Sequence, residues 1–564
     1  MCERIGTAEN GARRAQAQPH TCRYYSKERV DMKKGISIIL AVILGLSLIM
    51  ASGMAVAETT EPKTLTVAGG SMDGSMDPAG FALSTWNLFA RMCSLPLLSF
   101  NASGEEVMGA AESYTVSDDQ LTWTFTLRAD GKWSDGSDVT AADFVNTIQR
   151  ALDPENSESI YAEMLYGLVG AQEANKGTGA MDAVGATATD DHTLVFQLTQ
   201  PCPYFTKLLS LPVFYPSKVG VATNENKTWY KDPATNLCNG AFMLTEYVQD
   251  QYYTVARNPY YFDAANVKLD TIVNRSILDT QSTIAAYESG EVQACSGLPD
   301  YVETQYAGSK ELTIWNMLTT TAILPNVDVE PLNNEKVREA IGLALNRQAI
   351  CASMGTNYEP SYTWVPKYML SNVGDKFFSE EETPFTEDAA KAQTLLAEAG
   401  YPGGANFPVL SYTYPSSDKD AILAQAIQAQ LKAVLGIDIT LVAQETEVYN
   451  ATKREGTFQL LRYNWTADFN DPINYLALYT SDSSLNYVHM KDAAYDEAIA
   501  ASNAATDPAE RNAYLHTAQK ILINDNFYVI PISTMHYIGL CKENVTGITY
   551  NDKGELIYTY CDIN

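Results

Sequence analysis

The feature that most constrains this chain is that nothing in it marks where one domain stops and the next begins. It runs for 564 residues with no short-period repeat and no long low-complexity linker. A chain of that length does not close around one core and divides into roughly two to four domains. Domains with no linker between them fit an arrangement in which the chain crosses more than once from one to another. Local patterns place the fold in the α/β class. Leu121-Thr-Trp123-Thr-Phe125-Thr-Leu127 alternates apolar and polar residues, as a half-buried strand does. The turn-rich segment from Arg128 to Gly136 follows. Thr140-Ala-Ala-Asp143 then has capping-box spacing, and the helix it opens sets Phe144, Val145, Ile148 and Leu152 on one side. Further on, a helix with Leu395 and Leu396 ends at Gly400. A second carries Leu423, Ile427, Leu431 and Val434 and stops at Gly436, and Ile437, Ile439 and Leu441 continue as a strand. Strand and helix signals interleave in this way along the chain, which argues for α/β layers.

The first 57 residues follow a different logic. Met32-Lys33-Lys34 is a basic start, Ile36 to Met50 is an apolar run, and Ala55-Val56-Ala57 supplies an A-x-A cleavage site. That order reads as a secretory signal peptide, with a retained transmembrane anchor as the alternative. Residues 1–31 precede an ordinary start and carry no core pattern. Met54 stands where a lipoprotein signal places its cysteine, so a lipid anchor is not indicated. Over the whole chain, 68 Asp and Glu against 38 Lys and Arg give a formal charge of −30. Such a surface repels phosphate backbones and argues against a nucleic-acid partner. Seven cysteines follow the leader, at 93, 202, 238, 295, 351, 541 and 561, with no C-x-x-C pair for a metal or redox centre. Export permits disulfides, and Cys541 and Cys561 flank a possible hairpin across which they could pair.

Catalytic signatures are missing. There is no H-E-x-x-H, no G-x-S-x-G and no phosphate-binding G-x-x-x-x-G-K-[ST], and five histidines leave little for acid–base or metal chemistry. No cofactor motif is present. A pair of carboxylates working as in a glycosidase has no signature in one dimension, so a secreted hydrolase stays open as a minor alternative. Tyrosine is frequent, at 34 residues. Its stiff, amphipathic ring suits a binding cleft, although most such tyrosines serve ordinary packing.

Several further stretches stand in a set order: Trp123 to Arg128 with Trp133-Ser-Asp-Gly136 and Val139 to Val145; Pro201-Cys-Pro-Tyr204-Phe205-Thr-Lys-Leu208-Leu209; and Asn239-Gly240-Ala-Phe-Met-Leu244. Arg257-Asn-Pro259-Tyr-Tyr-Phe-Asp263, Tyr287-Glu-Ser-Gly-Glu291 and Val337-Arg338-Glu-Ala-Ile341 with Leu345 to Ile350 follow. Together they resemble the family-5 extracytoplasmic solute-binding proteins of ABC transporters, most closely the oligopeptide-binding proteins. The resemblance covers about Leu65 to the C-terminus. It implies an α/β, multi-domain periplasmic-binding-protein-like fold (type II, cluster C), with two main lobes, a hinge and an inserted smaller domain. After the leader (1–57), domain I would comprise 58–94, 219–318 and 535–564, the inserted domain II 95–218, and the ligand-anchoring domain III 319–534. It also implies a monomer outside the cytoplasm that is not an enzyme. Such a protein captures oligopeptides and hands them to the membrane permease subunits of an ABC importer.

The sharpest local match is Arg454-Glu-Gly456-Thr-Phe458-Gln-Leu-Leu-Arg462-Tyr-Asn-Trp465-Thr-Ala-Asp468-Phe-Asn-Asp-Pro472. By resemblance, Asp468 receives the ligand's α-ammonium group and Arg462 partners the peptide C-terminus. Trp465 lines the cleft with Tyr161 from the inserted domain, and the backbones of Asn464 and Thr466 pair with the ligand strand. The physics suits peptides of arbitrary sequence, whose constant features are a backbone and two charged termini. Read without the resemblance, Asp468 to Pro472 is an ordinary Asp/Asn/Pro turn. The chain departs from its relatives at Asp420, where they carry a histidine, at Thr446 and Lys453, where they carry Trp and Arg, and at Ala82, where one carries a pocket glutamate. These changes put C-terminal capture and pocket chemistry in question. The family also holds binders of dipeptides, nickel, haem and sugars, so a non-peptide ligand is the principal alternative.

Overall fold

The structure is a computed structural model that describes residues 61–564 apart from 73, 81–82, 103–104, 157–158, 160, 375, 382–383, 552 and 554–555. The leader, its cleavage site and Ala82 lie outside the described residues.

One mixed sheet of eleven strands organises the fold. Two long strands, Leu312–Pro325 and Ile530–Cys541, run antiparallel through its middle. Their ladder is interrupted between Asn316 and Thr320. On one side of that break, Ala294–Ser296 continues the sheet into Thr64–Gly69, which pairs in parallel with Thr271–Ser276 over its whole length. Tyr252–Arg257 and Phe242–Val248 complete this half. On the other side, Leu312–Pro325 pairs with Leu460–Thr466, and Leu410–Pro415 and Ile439–Gln444 follow in parallel. The central strands change character at the break. Thr319 to Pro325 is buried throughout, whereas Leu312 to Asn316 is mostly half-exposed. A strand covered on both faces belongs between helices, as in α/β layers.

Helices Glu335–Ala344 and Asp418–Leu435 provide that cover for the second half. Leu423, Ile427 and Leu431 recur on one face of the longer helix and pack with Ile323, Tyr412, Leu460 and Ile530. Each aliphatic side chain buried this way contributes about 1.5–3 kcal/mol. The helix stops at Gly436, whose φ of +74° lies in the left-handed region that costs a Cβ-bearing residue energy. The next strand begins at Ile439 rather than Ile437, because Ile437 is buried in the turn before the ladder starts.

A separate four-stranded antiparallel sheet, Ala111–Val116, Thr122–Leu127, Thr193–Gln197 and Ala186–Asp190, lies wholly within residues 95–218. Its strand Thr122–Leu127 buries Trp123, Phe125 and Leu127 and turns the threonines outward. The capping box at Thr140 closes and starts the helix Ala141–Leu152. Asp143 does more than cap. Its carboxylate accepts the Thr140 and Val219 N–H groups, both at 2.9 Å, and the Trp133 indole N–H at 3.1 Å. Phe144, Ile148 and Leu152 are buried as the periodicity requires, with Val145 at the margin.

All seven described cysteines are free thiols, so the possible Cys541–Cys561 pairing is not made. The hairpin expected between them is present, with Val545–Thr546 pairing Asp562–Ile563 and Thr549–Tyr550 pairing Leu556–Ile557.

Candidate ligand-binding site

The predicted residues gather on and just after the strand Leu460–Thr466. Gly456 sets its approach. With φ +64° it ends the helix Thr446–Glu455, and a Cβ there would lie 2.4 Å from the His489 ring. The strand then pairs with Leu312–Pro325 from Leu460 to Thr466, whereas on its other edge Leu410–Pro415 stays with it only at Leu460 and Leu461. The bonds just beyond the strand reveal how its backbone alternates. Gln459 accepts from Asn326 N and Ala467 N donates to Leu318 O, so odd-numbered residues point their polar groups toward the long strand. Arg462, Asn464 and Thr466 therefore present theirs to the edge that no strand covers among the described residues. The Tyr449 hydroxyl donates to the Arg462 carbonyl and closes one end of this edge. Asn464 and Thr466 are exposed, and Thr466 Oγ1 meets Thr319 Oγ1 at 2.8 Å.

Trp465 lies on the opposite side of the strand from Asn464, half-buried and near-parallel to Tyr463 at 6.4 Å between ring centres. Its indole N–H donates to Asn474 Oδ1 at 2.8 Å, and the same oxygen accepts the Asp468 N–H at 3.3 Å. The ring orientation is thus set by the segment it precedes.

Asp468 follows directly. Its Oδ1 accepts the Tyr161 hydroxyl at 3.0 Å, a contact spanning 307 residues of sequence. Loss of water raises the carboxyl pKa, opposed by the positive charge of Lys553 and by hydrogen bonds from Tyr161 and Asn474. Lys553 Nζ donates to the Asp468 backbone carbonyl at 2.6 Å. The second aspartate of the motif has a different task. Asp471 makes a bidentate pair with Arg511, at 2.8 and 2.9 Å, with both residues buried, and Asp471 Oδ1 also accepts the Ile473 N–H at 2.9 Å. Between them, Phe469 stacks on Tyr204 with parallel rings 5.8 Å apart, and the Arg511 guanidinium lies 5.4 Å from the Tyr204 ring centre. Asp468 therefore sits on a segment clamped from both sides, and a simple surface turn does not describe it.

Arg462 is placed differently from the free carboxylate partner that the resemblance implies. Its Nε lies 2.6 Å from Asp420 Oδ1 in an ion pair whose N–H is not aligned on an acceptor, and Nη1 donates to Asn464 Oδ1. Asp420 is held in turn by Ser417, the N-cap of the helix Asp418–Leu435, whose hydroxyl donates to Oδ2 at 2.8 Å. Lys453 packs near the rings of Tyr449, Tyr463 and Tyr487 at 5.4–5.8 Å.

The fold thus brings Tyr161, Asp468 and Trp465 to one end of the strand and Arg462 to the other, with Asn464 and Thr466 along the open edge. Sequence reading missed Asn474, Lys553 and the stack on Tyr204. Tyr204 lay inside a recognised motif, but Asn474 and Lys553 carry no signal beyond being polar residues near a turn. Among the described residues, no group of three His, Cys, Asp or Glu side chains could hold a metal, and no helix is long and apolar enough to cross a membrane. An open cavity of about 520 Å³ bounded by Asp328, Arg338, His489 and Tyr528 includes none of the predicted residues.

Comparison with known proteins identifies the family and the fold. Residues 105–487 match the model of the bacterial extracellular solute-binding proteins, family 5 middle. The chain is 31% identical to the periplasmic oligopeptide-binding protein OppA of Escherichia coli K12, over 92% of this chain and 96% of that one. It is 30% identical to the dipeptide-binding protein DppE of Bacillus subtilis 168, over 90% and 93%. The solved structure of the Escherichia coli murein tripeptide-binding protein MppA superposes with a TM-score of 0.75 at 28% identity, covering 89% of this chain and 99% of that one.

Proposed function

Because the chain belongs to family 5 of the bacterial extracellular solute-binding proteins, we propose that it captures short peptides outside the cytoplasm and delivers them to the membrane permease of an ABC importer. The observation that carries this reading is the pairing of an open strand edge with a clamped carboxylate. An extended peptide adds to the edge at Asn464 and Thr466 through main-chain hydrogen bonds, which read no side chains. Its α-ammonium group reaches Asp468, which Tyr161 and Asn474 orient. From Arg462 to Thr466 the edge runs about 13 Å at roughly 3.3 Å per residue, which suits a ligand of about four residues.

Residues 58–94, 219–318 and 535–564 form one lobe in this reading, 319–534 the other, and 95–218 an inserted domain that supplies Tyr161. The interrupted ladder between Asn316 and Thr320 supports a hinge there, because strands that lose register bend more readily than continuous ones. Closure of the lobes buries the ligand and reopening releases it unchanged, so in this reading the protein is a binder and not an enzyme, and it acts as a monomer. The basic start, apolar run and Ala55-Val56-Ala57 support export with cleavage before Glu58.

Mass spectrometry of small molecules released from the purified protein tests the proposal. Peptides of a few residues are expected; a sugar, haem or metal as the sole ligand overturns it in favour of a non-peptide binder of the same family.

A further inference from the structure

Lys553 stands at the tip of the hairpin whose arms are Thr549–Tyr550 and Leu556–Ile557. The hairpin is held in place, with Tyr550 packing on Trp315 at 4.9 Å between ring centres and Ile557 and Tyr558 buried. Lysine on such a tip ordinarily extends into solvent, because its ammonium group loses strong hydration when covered. Lys553 is only 4% exposed and turns its ammonium inward, onto the Asp468 carbonyl at 2.6 Å. It is also the cation that does most to keep the Asp468 carboxyl ionised.

A lysine ε-ammonium and a peptide α-ammonium are nearly the same group: one positive charge carrying three N–H donors. We propose that Lys553 is an internal counter-cation for Asp468, held on its main-chain carbonyl beside the ammonium site, so that an incoming peptide must displace it. This rests on the reading that Asp468 receives the ligand's ammonium group. With Lys553 held on the Asp468 carbonyl, one positive charge already lies near the carboxylate and offsets part of the cost of burying it. A second cation would leave a net positive charge in a poorly hydrated site, where like charges repel strongly. Lys553 therefore raises the threshold for capture and favours release, since it can return to Asp468 as the ligand's ammonium leaves. Delivery to a transporter requires such release.

The test is calorimetric titration of the wild type, Lys553→Gln and Lys553→Met with tetra-alanine and with N-acetyl-tetra-alanine. Glutamine can keep the bond to the Asp468 carbonyl without the charge, so it also serves if methionine unsettles the hairpin; Lys553→Arg keeps the charge. Thermal unfolding of each ligand-free variant checks the fold. Loss of the charge should tighten binding of tetra-alanine at least tenfold and leave the acetylated peptide within about threefold, while arginine should bind as the wild type does. If acetylation weakens binding to the wild type but Lys553→Gln and Lys553→Met bind free tetra-alanine no more tightly, the counter-cation inference fails and the ammonium role of Asp468 stands. If the wild type binds both peptides equally or neither, the Asp468 reading fails and this inference fails with it.

Discussion

Arg462 Nε lies 2.6 Å from Asp420 Oδ1, with both side chains largely covered, so the arginine at one end of the open strand edge already has an internal carboxylate. Its charge is matched before any ligand arrives. Capture of a peptide's C-terminal carboxylate there would have to break or share this pair, which makes the C-terminal end of the site weakly selective for charge. Amidating the C-terminus of a tetrapeptide should thus change its affinity by less than about threefold. Asp420→Asn should release Arg462 and make binding sensitive to amidation, by about tenfold, at a stability cost of about 1–3 kcal/mol. Isothermal titration with free and amidated peptides, beside denaturant unfolding, measures both.

At the other end, Asp468→Asn should weaken binding of free peptides by about 30-fold or more. Truncating one partner of a buried charge pair costs about 2–5 kcal/mol, and 1.4 kcal/mol is tenfold. N-acetylation of the peptide should cost the wild type a comparable factor and the Asn variant much less, because both changes remove the same interaction. A full acetylation penalty in the variant would show that the ammonium binds elsewhere.

Burial raises the Asp468 pKa in the unliganded protein, and the sign of its effect on stability follows. The folded state holds this proton more tightly than the unfolded chain. The resulting stabilisation is present at low pH and is lost as pH rises through the raised folded value. At neutral pH the ionised, poorly hydrated carboxylate is a net cost to the folded state. Ligand-free Asp468→Asn should therefore be at least as stable as the wild type at pH 7 in thermal unfolding, although it binds less well. Affinity for free peptides should also fall on acidification from a higher pH than an ordinary carboxylate would give.

The Asp471–Arg511 pair makes the opposite prediction. Arg511 is 1% exposed and Asp471 4%, so removing either leaves its partner charged without water or counter-ion. Arg511→Ala should cost about 3–5 kcal/mol in urea unfolding. It should also loosen the stack of Tyr204 on Phe469 and weaken peptide binding through the displaced Asp468. A variant with unchanged stability would contradict the clamp.

Thiol chemistry offers a check on the interior. Burial pushes the Cys202, Cys295 and Cys351 thiols up to about 12 and Cys541 to about 11, and raises Cys93 and Cys561 as well. Iodoacetamide attacks the thiolate, so at pH 8 these six should react far more slowly in the native protein than after denaturation. Timed alkylation read by peptide mass spectrometry decides it, and rapid native labelling at any of them would mean that its surroundings open.

The sequence by itself determined the local elements that lead to the site. Alternation at Trp123, Phe125 and Leu127, the Thr140–Asp143 cap, and the stop at Gly436 each arise from sterics and hydrogen bonds within a few residues. Periodicity and propensity record such effects directly. The ordered motifs from Trp123 to Pro472 likewise carried the family. Only the tertiary structure decided what each charge at the site faces. Tyr161 meets Asp468 across 307 residues, Lys553 reaches it across 85, and Asp420 meets Arg462 because a helix cap and a strand end happen to converge. Coulomb and hydrogen-bond energies depend on separation in space and on exclusion of water, and the closing of the sheet sets both. One lysine among the chain's 38 basic residues therefore becomes a counter-cation only where the fold carries it to Asp468 and covers it.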